Sequence, residues 1–256
     1  MKAANTLDSV KRMLKSINLS HTVDNLEEVI KQSEAGDLSY EKFLELMLLG
    51  KLKNREQRRI DKWMKQALFP TYSTLDAFDI SQQQSLSKKQ FNQLKELTWI
   101  EQGYNIIFLD PPGVGKTHVA VGLGIQAVNN GYKVQFAQMN DLVHALKTQE
   151  VTRGSQTKIK RIVDSDLFIL DDLMFMAMEK HEANLFFQLI NKLYGQTSLI
   201  ITSNKGPEDW GELLGDPAIT TAILDRIVHK CEIINFFNDE SHRIKHRKTI
   251  FENVYN

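Results

Sequence analysis

The chain has 256 residues, of which 42% are apolar and 25% charged, and its 32 basic side chains balance 32 acidic ones. This is ordinary globular composition with enough apolar material for a core, and zero net charge argues against binding nucleic acid through bulk charge while leaving local patches open. A single cysteine, Cys231, excludes a disulfide framework and points to a reducing, cytoplasmic setting, and no apolar run approaches the ~20 residues that a membrane helix needs.

Apolar residues recur at three- and four-residue spacing from the start, as in Leu7, Val10, Met13 and Leu14, and again in Phe43, Leu44, Leu46, Met47 and Leu48. That period predicts helices over residues 5–68. Charge is segregated within them: residues 24–45 hold seven acidic and two basic side chains, and residues 51–65 hold seven basic and two acidic ones. The basic helix, with Arg55, Arg58, Arg59, Lys62 and Lys65, suits either DNA or the acidic helix of another subunit. Phe69-Pro70 breaks the pattern, so the sequence divides into a small all-helical domain, 1–70, and a second domain, 71–256.

From residue 88 the pattern changes. A helix over 88–102 leads to a strand at 105–109, a glycine-rich loop, and a helix from Lys116 to about Asn130 capped by Gly131. A strand at 132–137, a helix from Asn140-Asp141, the apolar run 167–170, a helix around 179–194 and a strand at 198–202 come next. Strands alternating with helices predict an α/β fold with a parallel sheet covered on both faces.

The loop is the most specific feature. An apolar strand running through IIFLDPPGVGKT (106–117) into a helix is the pattern of a P-loop. Gly113 and Gly115 let the backbone curl so that its N–H groups surround a phosphate at the helix N-terminus. Lys116 then reaches the β- and γ-phosphates of ATP, and the Thr117 hydroxyl ligates Mg²⁺. Pro112, Gly113, Val114, Gly115, Lys116, Thr117 and His118 form the expected nucleotide-contacting run, His118 by position alone. Asp110 stands where the pattern asks for glycine, which is read either as a tolerated variant or as a weakened nucleotide site.

LFILDDL (167–173) is a buried strand ending in two acids. After a P-loop, Asp171 would hold the Mg²⁺ shell and Asp172 would polarise the attacking water, although a glutamate is more usual at the second position. Asn204, ending the strand SLIITSN, can orient water near the γ-phosphate or simply serve a turn. Lys147, Arg153, Lys158, Lys160 and Arg161 surround Gly154, Ser155 and Thr157, which read as a turn between two helices; such a charge run suits a solvated face or phosphate contacts. Cys231 reads as a strand position, and Trp63 and Trp210 as packing anchors.

With these segments in place, the chain resembles an AAA+ ATPase of the IstB/DnaC group, and within it the IstB transposition helpers. The resemblance runs from Leu38 to Arg247 through LSYEKFLELML (38–48), REQRRIDKWMKQALFP (55–70), TLDAFDI (74–80), PPGVGKTHVAVGLG (111–124), LFILDDL and ITSNKGPEDWGELLGDPAITTAILDRIVH (201–229). It implies that Asn204 is sensor 1 and that Arg226, in ILDR, is the arginine finger reaching a neighbouring subunit's γ-phosphate. Arg243, in DESHR, is implied as sensor 2, with Arg247 one turn on as the alternative. Residues 140–166, with Lys147, Arg153, Lys158, Lys160 and Arg161, are implied to face DNA. The function so implied is an ATP-dependent regulator of transposition that oligomerises on duplex DNA without sequence preference and serves an IstA-like transposase. Two alternatives stand beside it: a replicative helicase loader of the DnaC type, and a DNA-binding module whose nucleotide site Asp110 has impaired.

Overall fold

A computed structural model describes residues 2–236 of the chain, apart from 18, 37, 79, 81–85, 110–112, 114, 174–177 and 212–215. The chain falls into two compact units, Met1–Lys62 and the remainder from Trp63 onwards. The first is helical: α1 (Lys2–Ser16), α2 (Ser20–Gly36) and α3 (Tyr40–Ala67), the last continuing past the division. α3 presents Leu46, Met47 and Gly50 to Thr22, Asn25 and Val29 of α2 across a shared cavity. Among the described side chains of this unit only Val23 and Leu26 are buried apolar groups.

After the end of α3, the second unit continues with a 3-10 turn, Leu75–Ala77, followed by α4 (Lys88–Lys95) and α5 (Thr98–Glu101). The sequence predicts one helix here, but Leu97 sits at φ 60° in the left-handed region and separates two. α4 starts on a reciprocal Ser87–Gln90 capping box. Then come β1 (Asn105–Leu109), α6 (Lys116–Asn129), β2 (Val134–Gln138), α7 (Met139–Thr148), α8 (Arg153–Val163), β3 (Leu167–Leu173), α9 (Lys180–Leu193), β4 (Ser198–Ser203), α10 (Pro217–Val228) and β5 (Cys231–Asn235). A second correction falls at α8: Gly154, Ser155 and Thr157 lie inside its first turns rather than in a turn. The Thr152 side chain caps that helix by accepting the Ser155 N–H, so the chain reverses earlier, at residues 149–152.

The five strands form one parallel sheet in the order β2-β3-β4-β1-β5. Alternation sends Ile107, Leu109, Phe168, Leu170, Leu199 and Ile201 into a core shared with α7 to α10. The opposite face is covered by α6, which packs against β2, β3 and β4. Each fully buried Ile or Phe of β1 contributes about 1.5–3 kcal/mol, enough to hold this strand inside the sheet between β4 and β5. The side chain of buried Asn105 opens β1 by donating to Ile227 O (2.8 Å) at the end of α10 and accepting from Leu199 N–H (2.9 Å) of β4. Among the described residues no helix is long and apolar enough to cross a membrane.

The strand order creates a crevice. β4 lies between β1 and β3, so the carboxyl ends of these three strands meet where the connections diverge to opposite sides of the sheet. That is where α/β sheets bind their ligands.

Candidate functional site

Gly113 and Gly115 have φ of 100° and 104°, backbone that a side chain would strain, and α6 starts directly afterwards at Lys116. A Cβ at Gly115 would come within 3.0 Å of the Phe78 ring. Phe78 in turn lies 5.7 Å from the His118 ring, whose Nε2 is 3.2 Å from Thr74 O. His118 therefore faces the 74–78 segment. Lys116 is buried and donates to Asn204 Oδ1 at 2.8 Å, which ties the loop to the end of β4.

A second set of bonds joins the loop to β3. Thr117 Oγ1 donates to Asp171 Oδ1 at 2.8 Å, and Thr202 Oγ1 donates to the same oxygen at 2.7 Å. Thr202 Oγ1 also accepts the Asp172 N–H at 2.9 Å. Asp171 is 3% exposed, and burial raises its carboxyl above the ordinary range; the Thr202 and Thr117 hydroxyls and the Lys116 charge oppose that rise, while Asp172 adds to it. Asp172 is exposed and takes a left-handed backbone at φ 55°, at a break in the β3–β4 register between Leu170 and Leu173. A carboxylate in a buried site, beside a threonine hydroxyl at the start of α6, suits a hard divalent cation completed by phosphate oxygens. Among the described residues no three His, Cys, Asp or Glu side chains form a metal cage alone. Thr117 and Asp171 are the residues that could hold Mg²⁺.

Arg226 stands apart from this network. It lines a cavity of about 300 Å³ with Asn105, the first residue of β1, and Thr197, just before β4, at the amino ends of the strands. Its Nε donates to Asn191 Oδ1 (3.0 Å), a guanidinium nitrogen donates to Ala222 O (2.7 Å), and the group lies 5.0 Å from the Phe187 ring centroid.

The basic residues of α7 and α8 divide in two. Lys147 is bonded to Glu182 at 2.8 Å, which raises the lysine's pKa and lowers that of the nearly buried carboxylate. Lys158 lies 3.9 Å from Asp141. Arg153, Lys160 and Arg161 are exposed on α8, opposite its buried Ile159 and Ile162. Asp110, Pro112, Val114, Arg243 and Arg247 lie outside the described residues.

The sequence pattern of the IstB-like ATP-binding proteins matches residues 12–250. The chain belongs to that family. It is 35% identical over 236 residues to a protein of insertion sequence IS21 from Pseudomonas aeruginosa, named provisionally as ATP-binding, covering 92% of this chain and 89% of that one. A similarly named IS21-like protein of Bacteroides fragilis is 34% identical over 237 residues, covering 93% and 90%. Among solved structures, DnaA from Aquifex aeolicus bound to AMPPCP superposes with a TM-score of 0.54 at 22% identity, over 70% of this chain and 54% of that one. The fold of this IstB-like chain is thus that of an AAA+ core.

Sequence reasoning missed Thr202, Phe78 and Asn191. Thr202 had a signal: it is a polar side chain inside a strand that is buried at every position, and buried hydroxyls need a partner. Phe78 and Asn191 had none, because their neighbours, Gly115 and Arg226, lie 37 and 35 residues away and only the fold brings them together.

Proposed function

We propose that this IstB-like protein is an ATP-dependent, DNA-binding AAA+ regulator of transposition that oligomerises on duplex DNA and recruits or activates a partner transposase. The observation that carries this reading is the linked set Lys116–Asn204 and Thr117–Asp171–Thr202 at three adjoining strand ends. Such a set has the parts phosphoryl transfer requires: a lysine for the β- and γ-phosphates, a hydroxyl and carboxylate for Mg²⁺, and an amide beside the γ-position. When bound, Mg²⁺ would neutralise phosphate charge. Lys116 would leave Asn204 for phosphate, freeing that amide to hold the attacking water, which Asp172 would polarise.

Arg226 supports a site shared between subunits. Its position beside the first residues of β1 and β4 is the length of a strand, roughly 16 Å, from the carboxyl ends where Lys116 lies. No arginine side chain spans that distance within its own subunit. It can act on the phosphate of a neighbour, which makes hydrolysis depend on assembly. Arg153, Lys160 and Arg161 supply the DNA face through sequence-independent phosphate contacts.

The test is fluorescence anisotropy of labelled duplex and single-stranded oligonucleotides with ATP, ADP or neither. ATP-stimulated duplex binding of random sequence is expected. A preference for single strands would favour a helicase loader, and binding indifferent to nucleotide would overturn the ATP-dependent reading. Arg226→Ala should abolish ATPase activity while leaving nucleotide affinity within about twofold.

A further inference from the structure

Asn204 is exposed and stands one residue beyond the end of β4, outside the ladder of the sheet, yet its Oδ1 is the acceptor for buried Lys116. What holds it there is the residue before it. Ser203 is the last residue of β4 and pairs with Leu109 of β1 on one side and Leu173 of β3 on the other. Its side chain is buried and turns back on the chain: Oγ donates to Lys205 O at 2.7 Å and accepts the Lys205 N–H at 3.1 Å. One hydroxyl thus takes both backbone groups of the residue after Asn204 and closes 203–205 into a small ring around it.

The Lys205 carbonyl has a second donor. Trp210, a packing anchor by sequence, reaches it with Nε1 at 3.1 Å. The indole is 1% exposed and belongs to the same core as Leu199 and Ile201 of β4. Trp210 ends the 3-10 turn Pro207–Asp209, and its own N–H bonds to Pro207 O, which fixes where the ring begins. A buried indole N–H needs an acceptor somewhere. Here the acceptor is the carbonyl beside Asn204, and with both of its lone pairs taken that carbonyl cannot turn without breaking two bonds.

We propose that Ser203 and Trp210 are positioning residues of the phosphate site, which hold Asn204 in one orientation while Lys116 exchanges its amide oxygen for phosphate. This rests on the ATPase reading above and adds to it the groups that keep the asparagine still. When Lys116 moves to phosphate, Asn204 loses the bond that restrains its side chain from the front. The clamp behind it is anchored in the core and does not involve Lys116, so it stays closed. The amide then meets the attacking water already aligned, and alignment of this kind supplies a large part of a catalytic rate. Ser203 and Trp210 are both buried, so they act through Asn204 rather than on the nucleotide.

The experiment uses the full chain and has two arms. In the first, ATP hydrolysis and affinity for a fluorescent ADP analogue are measured for Ser203→Ala and Trp210→Phe, each alone and combined with Asn204→Ala. Trp210→Phe keeps an aromatic ring in the core and removes the donor. Each clamp variant should lower kcat about tenfold and leave nucleotide affinity within about twofold, because displacing a reacting group by about 1 Å is worth up to about a hundredfold in rate. In the Asn204→Ala background the same changes should cost nothing more, a non-additivity that a loss of stability does not produce. Additive losses, affinity falling as far as kcat, or an unchanged kcat would overturn the proposal. The second arm needs no nucleotide. The ¹H–¹⁵N heteronuclear NOE of the Asn204 side-chain amide, assigned by its disappearance in Asn204→Asp, should match the rigid backbone in the parent and drop in both clamp variants. An amide as ordered in the variants as in the parent overturns the clamp. A parent that hydrolyses no ATP would remove the ATPase reading instead, and the second arm would still decide whether these two residues hold Asn204.

Discussion

Thr202, which no sequence motif singles out, holds two adjacent residues of the candidate phosphate site in place. Its hydroxyl donates to Asp171 Oδ1 and accepts the Asp172 N–H, so one oxygen fixes a buried carboxylate and a left-handed backbone at once. Thr202→Val keeps the shape of the side chain and removes both bonds. It should cost about 1–3 kcal/mol in urea unfolding, since it leaves the Asp172 amide unpaired and takes one donor from the buried carboxylate. ATP turnover should fall by more than nucleotide affinity does, because Lys116 and the loop are untouched; equal losses in both would reduce Thr202 to a packing residue. The same bonds explain the short acid at position 172. Aspartate tolerates the left-handed region better than glutamate, whose longer side chain cannot bond locally to its own backbone.

Among the elements, the buried strands and the helices between them were legible from the sequence, because the runs and spacing of apolar residues report burial directly. β1, β4, α6 and α9 fall within a residue or two of their expected ends. The break at Leu97 was not legible, since a leucine in the left-handed region carries no composition signal. α8 misled for a local reason: Gly154 and Ser155 favour turns, yet Thr152 caps the helix ahead of them and Ile159 and Ile162 pin it to the core. The correction sharpens the basic surface, because a continuous helix sets Arg153, Lys160 and Arg161 on its outer side. Replacing these three by glutamine should leave thermal stability unchanged, since all are exposed. The slope of log affinity against log salt for duplex DNA should become shallower by up to about 2.7, at about 0.9 for each phosphate no longer neutralised. An unchanged slope would remove α8 from the DNA interface. Lys147, held by Glu182, should contribute much less than any of them.

At the scale of the molecule, the strand order was only partly legible. Alternation implies a parallel sheet but does not say which strands are neighbours, and the meeting of residues 116, 171 and 204 rests on β4 lying between β1 and β3. That arrangement also dictates when the site can exist. β3 has β2 as a partner, but β1 pairs only with β4 and β5, both of which come some ninety residues or more later in the chain. During synthesis the phosphate loop therefore emerges attached to a strand with nothing to pair with, and long-range pairings of this kind form slowly. A chain ending at residue 196 should retain helix but lose protease resistance around β1, and should bind no nucleotide, whereas one ending at 236 should regain both. The P-loop, the first part of the site to be translated, is then the last to acquire its shape. Until β4 slots in, Ile106, Ile107 and Phe108 form an open, aggregation-prone edge that the growing chain must keep sheltered.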